Sequence, residues 1–220
     1  IRDSLWFKQQ TIRNCIPRWH DLALTLYDDR EPHTYQEQAL HAWDHADRWG
    51  SVVLPTGAGK TFLALRTITA CAVSTLVVVP TVDLLHQWYA RLQNAFGIEI
   101  GVWYGQEKRL EDLTVTTYPS AWAHAEDLGN RFKLLIFDEI HHLPAPSWHE
   151  IALMCAAPCR LGLTATYPEA REQGAGGKNW ESRIKNQESS IKYQVSSFQF
   201  PTSGIDPVSL LNELVGPVVY

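Results

Sequence analysis

The 220 residues include only four cysteines, one methionine and no apolar run near the roughly 20 residues needed to cross a bilayer, so no membrane partner is expected. Cys15, Cys71, Cys155 and Cys159 lie in apolar text without the spacing of a disulfide framework and read as reduced, buried thiols. Positive charge is not in excess: 19 Lys and Arg against 24 Asp and Glu leave a net charge of −5. This excludes a protein that coats nucleic acid by counterion release, and confines any nucleic-acid contact to a local site. Nothing resembles a secretory signal, and no internal repeat is visible. These absences point to an intracellular protein, cytoplasmic or, in a eukaryote, nuclear. The chain opens on Ile1 without methionine, so a piece of a longer product is expected.

The remaining composition, 45% hydrophobic and 20% charged, suits one large α/β domain or two small ones. Residues 1–29 read as a small helical lead-in, with apolar residues of WHDLALTLY taken at helical spacing. HTYQEQALHAWDHADRWG follows as an amphipathic helix closing on Gly50. Strand and helix then alternate: a short strand from Ser51 to Leu54, a helix from Thr61 to Ala72, the apolar strand TLVVV from Thr75 to Val79 and a helix from Leu84 to Phe96. IEIGVWY, LTVTTY, KLLIF and CRLGLTA read as further strands. Such alternation predicts parallel pairing with right-handed crossovers, a doubly wound, mainly parallel α/β sheet with helices on both faces. That unit is expected over 30–168. Residues 169–207 read as a polar insertion in which Glu169 to Ser190 form a loop and Ile191 to Phe200 an exposed strand or hairpin arm. Residues 208–220 return to core-like text.

LPTGAGKT, Leu54 to Thr61, stands between strand and helix. Gly57 and Gly59 let the backbone curl so that successive N–H groups point at phosphate oxygens at the positive end of a helix. Lys60 adds a point charge for the outer phosphates and Thr61 a hydroxyl for Mg²⁺. The usual spelling of a phosphate loop would place glycine where this chain has Leu54. Such a loop needs an acidic partner, since Mg²⁺ takes few carboxylates and keeps its waters. KLLIFDEIHH supplies Asp138, at the end of an apolar strand, for the metal, and beside it Glu139 to orient and deprotonate an attacking water. His141, His142, His149, Cys155 and Cys159 follow no zinc spacing. Most of the nine tryptophans sit within periodic apolar patterns and read as packing.

PTGAGKT, DEIH and TAT, in this order, resemble motifs I, II and III of superfamily 2 helicases, and a leucine before PTGAGKT is similar to the XPB-type branch. TYQEQAL resembles the adenine-reading Q element, VVVPTVDLLHQW motif Ia and VTTYPSA the next strand-borne motif. The resemblance implies the first RecA-like domain of a P-loop ATPase using ATP and Mg²⁺. It implies that Thr56, Gly57, Ala58, Gly59, Lys60 and Thr61 bind the triphosphate, that Gln36 recognises the base, and that Thr61 and Asp138 hold the metal. It makes Lys60, Asp138 and Glu139 catalytic, with His141, Thr164 and Thr166 coupling the site to a nucleic-acid face. Pro80, Thr81, Thr116 and Thr117 would contact DNA, single-stranded or at a duplex junction; plain β-propensity is the competing reading for the three threonines. Arg171, Glu172 and Gln173 depart from the Arg-Glu-Asp triplet of that branch, and His33-Thr34 replaces Arg-Pro.

The expected function is an XPB-like DNA helicase or translocase motor, with a second RecA-like domain, in cis or in trans, that this chain lacks. Two alternatives stay open: an ATPase subunit of a restriction or phage-defence system, and an ATP-gated DNA-binding module that does not turn over.

Overall fold

The computed structural model describes residues 19–144, 148–167 and 207–220. The expected loop over Glu169–Ser190, the strand Ile191–Phe200, the triplet 171–173, Cys15 and most of the N-terminal lead-in lie outside these residues.

Among the described residues seven strands form one sheet, in the order β1-β7-β6-β2-β5-β3-β4. They are β1 (Trp49–Val53), β2 (Thr75–Val79), β3 (Gly101–Tyr104), β4 (Glu107–Arg109), β5 (Leu113–Thr117), β6 (Leu134–Asp138) and β7 (Cys159–Thr164). All neighbours pair in parallel except β3 and β4, an antiparallel hairpin in which Tyr104 faces Glu107. The central strands β2, β5, β6 and β7 are buried along their whole length. This is why they read as unbroken apolar or β-branched runs: helices cover both faces, and neither face meets water.

Alternate residues of the central strands β2 and β6 feed two cores, and β5 and β7 add to the first. Val77, Val79, Val115, Leu134, Ile136, Leu161 and Leu163 pack with α1 (Thr34–His45), α2 (Lys60–Cys71) and α3 (Val82–Phe96). Leu76, Val78, Leu135 and Phe137 face α4 (Tyr118–Ala123), α5 (Ala125–Leu128), α6 (His149–Met154) and α7 (Pro207–Leu214). The period of two along a strand is thus converted into a three-layer sandwich.

Two expectations are corrected. Residues 19–29 hold no helix; the segment is extended, bridged through Asp21 to Val73, with Leu22, Leu24 and Leu26 turned onto the first core. Their spacing is two, and the strand-like pattern prevails. Gly50 is no helix stop: α1 ends at His45 and Gly50 lies inside β1.

The C-terminal residues close the β1 edge of the sheet. Ser51 donates its N–H to Pro217 O at 2.8 Å, Val219 to Ser51 O at 2.9 Å and Val53 to Tyr220 O at 2.6 Å. This covers an edge that would otherwise present unpaired backbone. The junction is held by Arg160, which is 7% exposed and, among the described residues, meets backbone carbonyls rather than a carboxylate. Its guanidinium donates to Ala157 O at 3.3 Å, Cys155 O at 2.9 Å and Leu214 O at the end of α7, and stacks 4.3 Å from the Trp49 ring. Burial pushes its pKa down to about 10, which leaves it charged at neutral pH. A cation at a helix C-terminus is favourable there. Arg160→Met keeps the stem and orphans three carbonyls, so a loss on the order of 2–3 kcal/mol is expected in denaturant titration. Amide exchange over Leu210–Val215 should accelerate before that of β2 and β6, and unchanged exchange there would contradict the assignment.

Candidate functional site

In a doubly wound sheet the C-terminal strand ends form the ligand crevice, and three ends meet here. β7 lies between β1 and β6, with Val53 in register with Thr164 and Leu163 with Asp138. The loop after β1, the acidic turn after β6 and Thr164 are therefore adjacent only through this strand order, since Val53 and Asp138 lie 85 residues apart in the chain.

Leu54 is 3% exposed; it packs in the core and donates its N–H to Thr164 O at 3.0 Å. It is a continuation of β1 and not part of the curl. The curl is made by Gly57 (φ +83°) and Gly59 (φ +80°), both left-handed, with Gly59 capping the start of α2. A side chain at either would be strained, which is why these two positions are glycine. Thr56 and Gly57 are exposed, and Ala58 to Thr61 partly so. The Ala58 carbonyl accepts from Tyr35 Oη and from Gln36 Nε2, each at 3.0 Å. Gln36, 5% exposed, also accepts the His33 N–H through Oε1 at 3.0 Å, so its amide braces the loop and caps α1. One N–H and one lone pair remain to it.

Lys60 Nζ donates to Leu54 O at 3.3 Å and lies 3.9 Å from Glu139 Oε1. Glu139 has left-handed backbone (φ +51°), uncommon for a residue with a side chain. That twist ends β6, starts the single helical turn Ile140–His142 and directs the carboxylate to Lys60, Thr164 and His141. Its Oε2 is 3.3 Å from both Thr164 Oγ1 and His141 Nδ1. His141 Nδ1 is also 3.0 Å from Thr164 Oγ1, and that hydroxyl donates to Thr166 O at 2.8 Å. The hydrogen bond to His141, with help from Lys60, holds the Glu139 carboxyl below its ordinary range and thus ionised.

Asp138 is 7% exposed, and burial, reinforced by Glu139, raises its pKa against the donors around it. Oδ1 accepts the Glu139 N–H at 3.1 Å and Oδ2 the Trp88 indole N–H at 2.8 Å, while the backbone carbonyl accepts Tyr118 Oη at 3.1 Å. The residues fit Mg²⁺ and a polyphosphate: a glycine-built amide cradle, a lysine, a hydroxyl at Thr61 and a buried, oriented carboxylate are the hard-oxygen and anion-binding donors that both require.

Lys60, Glu139, His141, Thr164 and Thr166 are thus brought together. The threonines expected at a DNA face are not all available. Thr81 is exposed, caps α3 by accepting the Leu84 N–H at 3.3 Å and follows half-buried Pro80. Thr116 is fully buried and donates to Trp103 O at 2.7 Å. Thr117, 3% exposed, caps α4 by accepting the Ser120 N–H at 3.4 Å. A strand contact through those two side chains is corrected: they build the strand and its helix cap. Trp88, Tyr118 and Tyr35 were not among the expected residues. The signal available was that a buried indole or phenol needs a partner for its polar atom.

Residues 29–169 match the model of the family described as "Type III restriction enzyme, res subunit". The chain belongs to that family. Among this family member's relatives, the "DNA 3'-5' translocase XPB2" of Sulfurisphaera tokodaii is 49% identical over 149 residues, covering 68% of this chain and 33% of the relative. The "DNA 3'-5' helicase XPB" of Mycobacterium tuberculosis is 34% identical over 139 residues, covering 58% of this chain and 25% of the relative. The fold matches the Sulfolobus solfataricus SWI2/SNF2 ATPase core in complex with dsDNA at a TM-score of 0.55 and 16% identity, over 67% of this chain and 35% of that one. The superfamily 2 resemblance read from the motifs therefore holds, as does the RecA-like fold. The chain spans a quarter to a third of the length of these curated relatives. Among the described residues no helix is long and apolar enough to cross a membrane.

His142, beside the site, yields a pH test. Burial, with the neighbouring His141, lowers its pKa from 6.5 to about 4, and its ring packs near Tyr118 and Trp148. The unfolded chain therefore binds a proton that the folded one refuses, and stability is lost as pH falls from about 6.5 towards 4. His142→Phe should flatten that part of the stability–pH curve in urea titrations. An unchanged slope would contradict a half-buried, neutral imidazole.

Proposed function

We propose that this chain is the first RecA-like motor domain of an XPB-like DNA helicase or translocase, coupling hydrolysis of Mg-ATP to movement on DNA. The observation that carries the proposal is the connected set Lys60–Glu139–Thr164–His141 at three adjoining strand ends, beside Asp138. The printed names of the XPB relatives agree with it.

In this reading the amides of Thr56 to Thr61 and the Lys60 ammonium hold the triphosphate, and Gln36 adds contact to the base. Thr61 and Asp138 hold Mg²⁺, which when bound neutralises charge on the phosphates. Glu139, ionised and fixed by His141, orients the attacking water and accepts its proton. The Thr164 hydroxyl joins Glu139 and His141 to Thr166, whose exposed position leads towards the DNA face. Pro80 and Thr81 would meet the strand backbone, a contact that positions without reading sequence. The family's description also favours a second reading, the ATPase of a restriction system. The two share this chemistry and separate on whether turnover needs a specific DNA sequence.

The described residues form a single sheet. In superfamily 2 a second RecA-like domain supplies the arginines that stabilise charge on the departing phosphate, an effect worth about 10³–10⁵ in turnover. The 220-residue chain alone should bind Mg-ATP and hydrolyse it very slowly, with or without DNA. Single-turnover hydrolysis beside a Glu139→Gln control tests this. Turnover of several per second, lost in the control, would mean that the active site is complete without a second domain.

A further inference from the structure

We infer that Trp88 is a positioning residue for the metal-binding carboxylate: its indole N–H fixes Asp138 Oδ2 so that the remaining lone pairs face the Mg²⁺ shell. The inference rests on the Mg-nucleotide reading of the site.

Trp88 is 2% exposed and lies on the buried stripe of α3 with Leu85, Leu92 and Phe96. Its ring is therefore set by packing, and its one polar atom meets Oδ2 at 2.8 Å over a separation of 50 residues. Asp138 is itself buried, and a carboxylate out of water must find donors for its oxygens. Oδ1 is served by the adjacent Glu139 N–H, which moves with the turn it belongs to. Trp88 is the donor that comes from another element, so it alone of the two can fix the carboxylate plane relative to the sheet.

The chemistry of the donor matters as much as its distance. An indole N–H donates only: it cannot bind the metal in place of the carboxylate, and it carries no charge that would repel Mg²⁺ or neutralise Asp138 as lysine or arginine would. The contrast within the same protein is Trp43, whose indole N–H meets a backbone carbonyl, Arg160 O, at 2.8 Å. A core tryptophan here has other ways to satisfy itself, and Trp88 is aimed at the carboxylate. Donors behind metal-ligating groups typically account for 10–100-fold in metal affinity.

The test is the Mg²⁺ concentration that half-saturates binding of a fluorescent, non-hydrolysable ATP analogue to the full chain. Trp88→Phe keeps an aromatic ring and removes the N–H. It should raise that midpoint about 10-fold or more, leaving analogue affinity in EDTA unchanged. A folded Trp88→Phe with the wild-type midpoint overturns the inference, and so does one whose binding of the analogue is weakened as much in EDTA as in Mg²⁺, which is the mark of lost packing alone. A wild-type chain that binds no analogue under either condition overturns the nucleotide reading together with it. Should Trp88→Phe fail to fold, indole N–H spectra of isotope-labelled wild-type chain replace it. One buried indole resonance should move when Mg²⁺ is added to the analogue complex and should be displaced in Asp138→Ala. Indole resonances indifferent to both changes overturn the inference.

Discussion

A backbone that curls to aim its amides into one space must turn its carbonyls out of it, and those carbonyls need partners. This constraint organises the region around Pro55 to Thr61. Ala58 O is taken by Tyr35 Oη and Gln36 Nε2, and Leu54 O by Lys60 Nζ. The start of α1 is therefore part of the loop's construction, and Gly59 has no room for a side chain because Gln36 Nε2 would lie 2.5 Å from it. Helix, loop and strand end form one unit, and what surrounds it serves to present Asp138 and Glu139 to the same space.

The acidic turn solves a related problem in the opposite sense. Two neighbouring carboxylates at a strand end would continue the strand's alternation onto opposite faces. The left-handed Glu139 breaks that alternation. Asp138 stays on the α3 face, where Trp88 meets it, while Glu139 reaches Lys60, His141 and Thr164. The two acids thereby acquire different environments: burial raises the pKa of one, and an imidazole and an ammonium lower that of the other. In the proposed function, this separation of neighbouring carboxylates by environment would let one turn serve both the metal and the attacking water.

Much of this was legible before the structure. The uniformly apolar TLVVV and KLLIF could only be buried parallel strands, and PTGAGKT with DEIH predicted a loop and an acidic turn on strand ends that the order β1-β7-β6 places side by side. The extended segment at Leu22, Leu24 and Leu26 was misread because short apolar runs satisfy periods of two and 3.6 almost equally well. The β3–β4 hairpin escaped because Glu107–Arg109 is a short, charged edge strand with no apolar pattern. Thr116 and Thr117 show the limit of motif reading: the residues are in place, but their hydroxyls are spent on Trp103 O and on a helix cap. Arg160 and Trp88 could not be singled out from the sequence, since Leu214, which Arg160 ties to the sheet, lies 54 residues from it and Asp138 lies 50 residues from Trp88.

In the proposed function the glycine curl and the acidic turn are one nucleotide site. Backbone amide chemical-shift mapping of the 220-residue chain, on addition of Mg²⁺ and a non-hydrolysable ATP analogue, tests it most directly. The largest shifts are expected at Gly57 to Thr61, at Asp138 and Glu139 and at Thr164, with the Asp138 and Glu139 shifts dependent on Mg²⁺. Shifts confined to the loop, with the acidic turn indifferent to Mg²⁺, or a response centred elsewhere in the sheet, would contradict it.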